Sequence, residues 1–218
     1  MNQIKIQSIF KVLLGIFIIT LFFNIQTFGL ILGNRGGAPY DEAVGKKQNI
    51  ESYIIEGAGY FLISNTDFLL FLNKIEMSEL NGVDYNQIRT ILDRAIENME
   101  KANLIYTSLV LITTNTPYKQ NFIERLNVFD YAGYQKQYGL NGIIFQEVAL
   151  YLKNGDVTSI FTRILGRTGA ILNSLYAVKK EIDANTFPGI SNLWRLNQYY
   201  SETILFGQYS AEVFAKIN

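Results

Sequence analysis

The feature that most constrains the fold is a run of apolar residues at helical spacing in the first half of the chain. They recur three or four residues apart, while charged residues fill the other positions, a pattern typical of an amphipathic α-helix. Asp84 precedes the run as an N-cap, and Gln87 follows three residues later, as in a capping box. We therefore predict a helix from Asp84 to about Thr114. Its apolar positions are Ile88, Ile91, Leu92, Ala95, Met99, Ala102, Tyr106, Leu109 and Val110.

The same spacing recurs along most of the chain, and turn signals divide it into further helices. We predict long helices over about 41–75, 156–182 and 191–216, and shorter ones over about 117–138 and 143–153. No alternating strand pattern is bounded by turns. The predicted fold is therefore all-α: an antiparallel up-down helical bundle of four long helices, with one or two shorter helices in a crossover or cap.

Glycines lie inside two of the predicted long helices. Gly57 and Gly59 flank Ala58 in the first, and Gly166 and Gly169 lie three residues apart in another. A glycine inside a helix costs about 1 kcal/mol relative to alanine. We therefore predict either a close approach of a neighbouring helix or a kink at Gly57 and Gly59, and room for a neighbouring helix at Gly166 and Gly169.

Residues 1–29 have the pattern of a secretory signal peptide. Lys5 and Lys11 precede an apolar run from Val12 to Phe23, and Thr27-Phe28-Gly29 places small residues at the spacing that favours cleavage after Gly29. The alternative is an uncleaved membrane anchor that extends to about residue 33, since the apolar run resumes at Leu30. In both cases we expect an exported protein, periplasmic or extracellular, with residues 30–40 as a flexible linker and 41–218 as the helical bundle domain.

Composition excludes several classes of chemistry. The chain has no cysteine and no histidine, so it lacks disulfides, thiolate ligands and the usual general base. Removal of residues 1–29 leaves 17 basic and 19 acidic residues, which is not the balance of a nucleic-acid-binding protein. We considered a hard-cation site formed by Asp67, Asp93, Glu97 and Glu100. Helix-surface carboxylates are far commoner, and we predict no metal and no cofactor.

Two aromatic groups are the candidate binding residues. Tyr131, Tyr134 and Tyr138 recur at helical spacing and predict a stripe of amphipathic rings. The second group contains a tryptophan, a cation and two tyrosines, residue types that are enriched at binding hot spots. Its members are Trp194, Arg195, Tyr199 and Tyr200. The alternative for both groups is a structural role at the edge or the end of the bundle.

These observations favour an exported, non-enzymatic helical bundle that binds an envelope protein or a small ligand. An oligomerising structural component of the cell envelope or of an appendage is the second hypothesis. A carboxylate-dependent envelope hydrolase is the third, and it requires a buried acid with a raised pKa. The membrane is a partner only through an uncleaved N-terminal segment.

Overall fold

The chain folds into helices in a computed structural model, which describes residues 50–115, 120–138 and 142–217. These residues contain no strand, and the predicted all-α class is confirmed. The predicted signal peptide and linker lie outside the described residues, as does the helix start predicted at Thr116-Pro117. The helices are α1 (Ile50–Asn81), α2 (Tyr85–Asn115), α3 (Gln120–Val128), α4 (Tyr131–Tyr138), α5 (Ile143–Lys153), α6 (Val157–Asp183) and α7 (Ile190–Ile217).

Local capping signals set several helix ends where the sequence predicts them. The Asp84 carboxylate accepts hydrogen bonds from the backbone amides of Asn86 and Gln87, each at 3.1 Å. Asp156 caps α6 in the same way, accepting from the Ser159 amide at 3.0 Å. Between α5 and α6, Gly155 has a φ of 68°, a backbone conformation that glycine adopts at little cost.

The prediction of one helix over 117–138 is wrong, because the chain breaks at Phe129 and Asp130. The Asp130 carboxylate accepts a hydrogen bond from the Gly133 amide at 2.9 Å and starts a new helix. The Tyr131 hydroxyl then donates to the Leu126 carbonyl at 3.0 Å, which joins the two helices across the break. The described region therefore contains three short helices, one more than predicted.

The long helices pack in chain order, α1 on α2, α2 on α6 and α6 on α7. Along the α2–α6 pair, Arg89 bonds to Asp183 at 3.3 Å, and Asn103 bonds to Thr168 at 2.8 Å. Residue numbers fall along α6 as they rise along α2, so these two helices run in opposite directions. Helix α5 packs against both α6 and α7.

A hydroxyl junction lies in the core where α1, α2 and α7 meet. Ser64 Oγ donates to the Ala95 carbonyl at 2.6 Å and lies 2.7 Å from the Tyr200 hydroxyl. The Tyr200 ring stacks on Phe68 at 5.2 Å between centroids and packs against Phe61 at 5.6 Å. Tyr200 and Phe68 are fully buried, so α1 is joined to α7 mainly by side chains.

The predicted close approach of a neighbouring helix is confirmed at Gly57 and wrong at Gly166, and at Gly59 the described residues show no such approach. A Cβ at Gly57 would lie 3.0 Å from Cγ2 of Ile105 on α2, closer than real Cβ atoms usually approach a neighbour. At Gly59 and Gly166 a Cβ would meet no atom within 4 Å, and at Gly169 its nearest neighbour lies 3.9 Å away.

Among the described residues, none of the helices combines the length and the apolar character that crossing a membrane requires.

Buried tyrosines predict a loss of stability at alkaline pH. Burial raises the pKa of the Tyr106 and Tyr200 hydroxyls above the usual value of 10.0. The pKa of each tyrosine is higher in the folded chain than in the unfolded chain. The stability that its protonated hydroxyl provides is therefore complete below pH 10 and declines as the pH rises toward the folded pKa. The decline is about 1.4 kcal/mol per pH unit for each tyrosine.

Urea unfolding between pH 8 and 11.5 measures this effect. The Tyr106→Phe variant should show a shallower alkaline slope than the wild type, and the difference between the two should be constant below pH 9. An unchanged alkaline slope would show that Tyr106 is not the group that titrates.

Candidate binding groove between α1 and α2

An open groove lies between α1 and α2, towards the turn that joins them. Its volume is about 400 Å³, within the range of small binding sites. Its walls combine two apolar residues, three uncharged polar residues and two cations, and none of these lining residues is acidic. They are Leu70, Asn73, Lys74, Gln87, Thr90, Ile91 and Arg94.

Helical spacing places these residues on facing sides of the two helices. On α1, Leu70, Asn73 and Lys74 follow one another at i, i+3 and i+4, and so occupy one face. On α2, the residues from Gln87 to Arg94 span two turns of a single face. Each helix therefore supplies both an apolar and a cationic side chain.

A buried carboxylate orients one of the two cations. Arg94 Nη2 donates to Asp67 Oδ1 at 2.6 Å, and the side chains of Arg94 and Asp67 are 52 % and 9 % exposed. A guanidinium has five N–H donors, so this bond leaves donors of Arg94 available at the groove. Since Asp67 balances Arg94, Lys74 leaves the groove with a net positive charge.

This arrangement suits a group that carries a negative charge next to an apolar surface. Leu70 and Ile91 provide apolar contact, and the Lys74 ammonium and the Arg94 guanidinium provide charged donors. Asn73 and Gln87 add amide groups that donate or accept hydrogen bonds.

The structure brings Tyr131 and Tyr134 together around Phe129, in the core rather than on an open surface. The Phe129 ring lies 4.9 Å from that of Tyr131 and 5.8 Å from that of Tyr134. Tyr134 is buried, and its hydroxyl donates to the carboxylate of Glu212 on α7. Burial raises the pKa of the Tyr131 hydroxyl. Tyr138 ends α4, and its side chain lies outside the described part of the chain.

The second aromatic group divides between the surface and the core. Trp194 is 58 % exposed, Arg195 is exposed and Tyr199 is half-buried, whereas Tyr200 is fully buried at the hydroxyl junction. Trp194 and the Tyr134–Glu212 contact lie about 27 Å apart along α7, at 1.5 Å per residue. The two predicted groups therefore do not form one site, and neither lines the groove. The prediction that they bind a partner has not been tested.

The four carboxylates considered as a cation site do not converge. Asp67 pairs with Arg94, while Asp93 bonds to Lys179 at 2.5 Å. Glu97 bonds to Lys101 at 2.7 Å, and Glu100 accepts from the Tyr176 hydroxyl. Within the described ranges, no group of three acidic side chains has the geometry of a metal site.

Sequence reasoning missed the groove because its residues come from two helices. On α1, the residues that recur at helical spacing are Phe61, Phe68 and Leu72, and they mark its inner face. A second signal was available, since α1 carries Ile63, Leu70 and Met77 seven residues apart on another face. Two apolar stripes on one helix indicate two packed or binding faces.

Comparisons of the chain with protein-family models, with curated proteins and with solved structures find no match.

The Asp67–Arg94 pair predicts that removal of Arg94 lowers stability more than removal of a cation from an exposed ion pair. Arg94→Met should lower the free energy of unfolding by about 1–2 kcal/mol, because it leaves a buried carboxylate without its charged donor. Chemical denaturation followed by circular dichroism measures the change.

Lys101→Met is the matched control, because it removes a cation from an exposed pair with Glu97 that solvent screens. The control should leave stability nearly unchanged. Equal stability of Arg94→Met and the wild type would contradict a stabilising role of the pair.

Proposed function

We propose that this protein is an exported, non-enzymatic helical bundle that binds a partner protein through the groove between α1 and α2. The supporting observation is the position of Lys74 and Arg94 beside the apolar side chains of Leu70 and Ile91. The partner presents an acidic side chain next to an apolar one, in the spacing of an amphipathic helix.

The shape of the groove favours a protein over a small ligand. Sites for small molecules usually enclose most of the ligand surface. Here Leu70 is 47 % exposed and the Arg94 side chain 52 % exposed, so the groove is open along one side. An open apolar groove between two helices suits the side chains of a partner helix, whose backbone remains outside.

The proposed architecture is an antiparallel bundle of α1, α2, α6 and α7. Support comes from contacts that connect these helices in a ring: Arg94 to Asp67, Asn103 to Thr168, Arg167 to Glu202 and Ser64 to Tyr200. Helices α3, α4 and α5 form the connection between α2 and α6, and α5 covers α6 and α7.

Export is proposed from the sequence pattern of residues 1–29. A polypeptide exported in this way encounters envelope proteins as its available partners, which agrees with a binding role and with a fold that needs no cysteine.

Cleavage after Gly29 predicts a mature chain that begins at Leu30. Intact-mass measurement and N-terminal sequencing of the protein from its native envelope test this prediction. The mass of the whole chain in an envelope fraction would instead indicate the anchor, and the whole chain in the cytosol would contradict export.

Charge in the groove predicts which partners bind. A synthetic amphipathic helical peptide with leucine and glutamate four residues apart should bind the full chain, and a peptide with lysine in place of glutamate should bind less tightly. Lys74→Glu should weaken binding of the acidic peptide about tenfold, because it replaces an attraction with a repulsion.

Fluorescence anisotropy of the labelled peptide at several salt concentrations measures these affinities. Lys153→Glu, at the exposed end of α5, is the matched control and should bind as the wild type does. The proposal would be contradicted if the wild type bound both peptides with equal affinity. It would also be contradicted if the wild type and Lys74→Glu bound the acidic peptide with equal affinity.

A further inference from the structure

The outer face of α1 carries an exposed apolar stripe. Ile63, Leu70 and Met77 are 49 %, 47 % and 45 % exposed, and their spacing of seven residues aligns them along one side of the helix. Only Leu70 belongs to the groove, so the stripe extends beyond the groove in both directions.

Small or uncharged residues accompany this stripe. Gly59, Thr66 and Asn73 also recur every seven residues on the exposed side, next to the apolar positions. A Cβ at Gly59 would meet no atom of the described residues within 4 Å, so packing among those residues does not explain the glycine. A glycine weakens a helix relative to alanine, but it allows another helix to approach closely.

The stripe also lacks charged side chains. Between Gly57 and Asn73 the only ionisable acid or base is Asp67, and it is buried against Arg94. A helix with apolar residues on its inner and outer faces is typical of one that is covered on both sides. In the described chain, α7 contacts the inner face, and α2 covers the inner face and the edge that carries Lys74.

We propose that a second copy of this chain covers the face, with the two α1 helices antiparallel about a twofold axis near Thr66. In this arrangement Ile63 of each copy lies opposite Leu70 of the other, and the stripe is complementary to itself. The proposal rests on the proposed function, since it identifies the partner of the same surface.

The charges at the two ends of the stripe favour the antiparallel direction. Glu56 lies at one end and Lys74 near the other, both on the edge that faces α2. A twofold axis near Thr66 brings Glu56 of one copy towards Lys74 of its partner, so Glu56 supplies the acidic group that the groove accepts. A parallel twofold pair would place the two α2-facing edges on opposite sides of the contact, so Glu56 would not meet Lys74. Glu76 lies on the opposite edge of the stripe.

The area of the face suits a weak contact. At 1.5 Å per residue and a width of about 10 Å, the face from Glu56 to Met77 presents a strip of roughly 330 Å² on each copy. The pair would bury about 660 Å² in total, the size of a weak interface whose occupancy depends on protein concentration.

The absence of cysteine allows a direct test by cross-linking the full chain. Thr66→Cys places a thiol beside the proposed twofold axis, and mild oxidation should convert most of the protein to a disulfide-linked dimer that reductant reverses. Val128→Cys is the matched control, because Val128 is 82 % exposed on α3, and it should form little disulfide-linked dimer. A Thr66→Cys variant that forms no disulfide-linked dimer after oxidation would overturn the proposal.

Sedimentation of the full chain tests the same contact without a cross-link. The wild type should sediment as a dimer, and Ile63→Glu as a monomer with an unchanged circular dichroism spectrum. Val128→Glu should remain a dimer. Because Ile63 lies outside the groove, Ile63→Glu should still bind the acidic peptide.

These outcomes separate the two proposals. A wild-type monomer that binds the acidic peptide would overturn self-pairing and support the proposed function. A dimer that Ile63→Glu leaves intact would overturn self-pairing through this stripe and would not bear on the proposed function. A wild type that fails to bind the acidic peptide while Ile63→Glu binds it would support self-pairing, since the second copy then occupies the groove. If neither the wild type nor Ile63→Glu binds the acidic peptide, the proposed function is contradicted, and self-pairing is decided by sedimentation and cross-linking.

Discussion

The hydroxyl junction of Ser64 and Tyr200 is the contact on which the orientation of α1 depends. A buried hydroxyl without a partner is costly, so Ser64, Tyr200 and the Ala95 carbonyl have to meet at one level of the core. This condition fixes the rotation of α1 about its own axis. It turns Phe61 and Phe68 inward, and helical geometry then turns Ile63 and Leu70 outward. The exposed face is therefore a consequence of the buried one.

A second polar contact joins the connecting segment to the long helices. Arg167 on α6 bonds to Glu147 on α5 at 3.2 Å and to Glu202 on α7 at 2.9 Å, and its side chain is 12 % exposed. Its guanidinium also lies over the Phe206 ring, at 5.5 Å from the centroid. Replacement of Arg167 alone would remove a charged donor from both carboxylates, and Glu147 would keep its pair with Arg163 at 2.5 Å. The cluster therefore specifies this packing of α5 more than it adds stability. Among the described side chains, Arg167 Nε is the buried polar atom without a hydrogen-bond partner.

The fold class and several helix ends could be predicted from sequence because they depend on residues that are close in the chain. Asp84 and Asp156 bond to amides two or three positions away, and the inner stripe of α2 needs only the helical period. The break at Asp130 was missed, although the cap is local, because Phe122, Leu126 and Phe129 continue the apolar spacing across it. The role of Tyr200 could not be predicted, since its partner Ser64 lies 136 residues away. The groove was missed for the same reason, because Leu70 and Ile91 meet only after α1 and α2 have packed.

The two stripes of α1 contribute to different equilibria. Burial of Phe61 and Phe68 stabilises the folded chain, whereas Ile63 and Met77 keep about half of their side chains in water after folding. If a second copy covers the outer stripe, that burial contributes only on association, and stability becomes dependent on protein concentration. The cost of Gly59 to the isolated helix is then offset in the dimer, where the partner helix occupies the space above it. Folding and association are thus assigned to opposite faces of one helix, and a substitution on the outer face can alter association without changing the core.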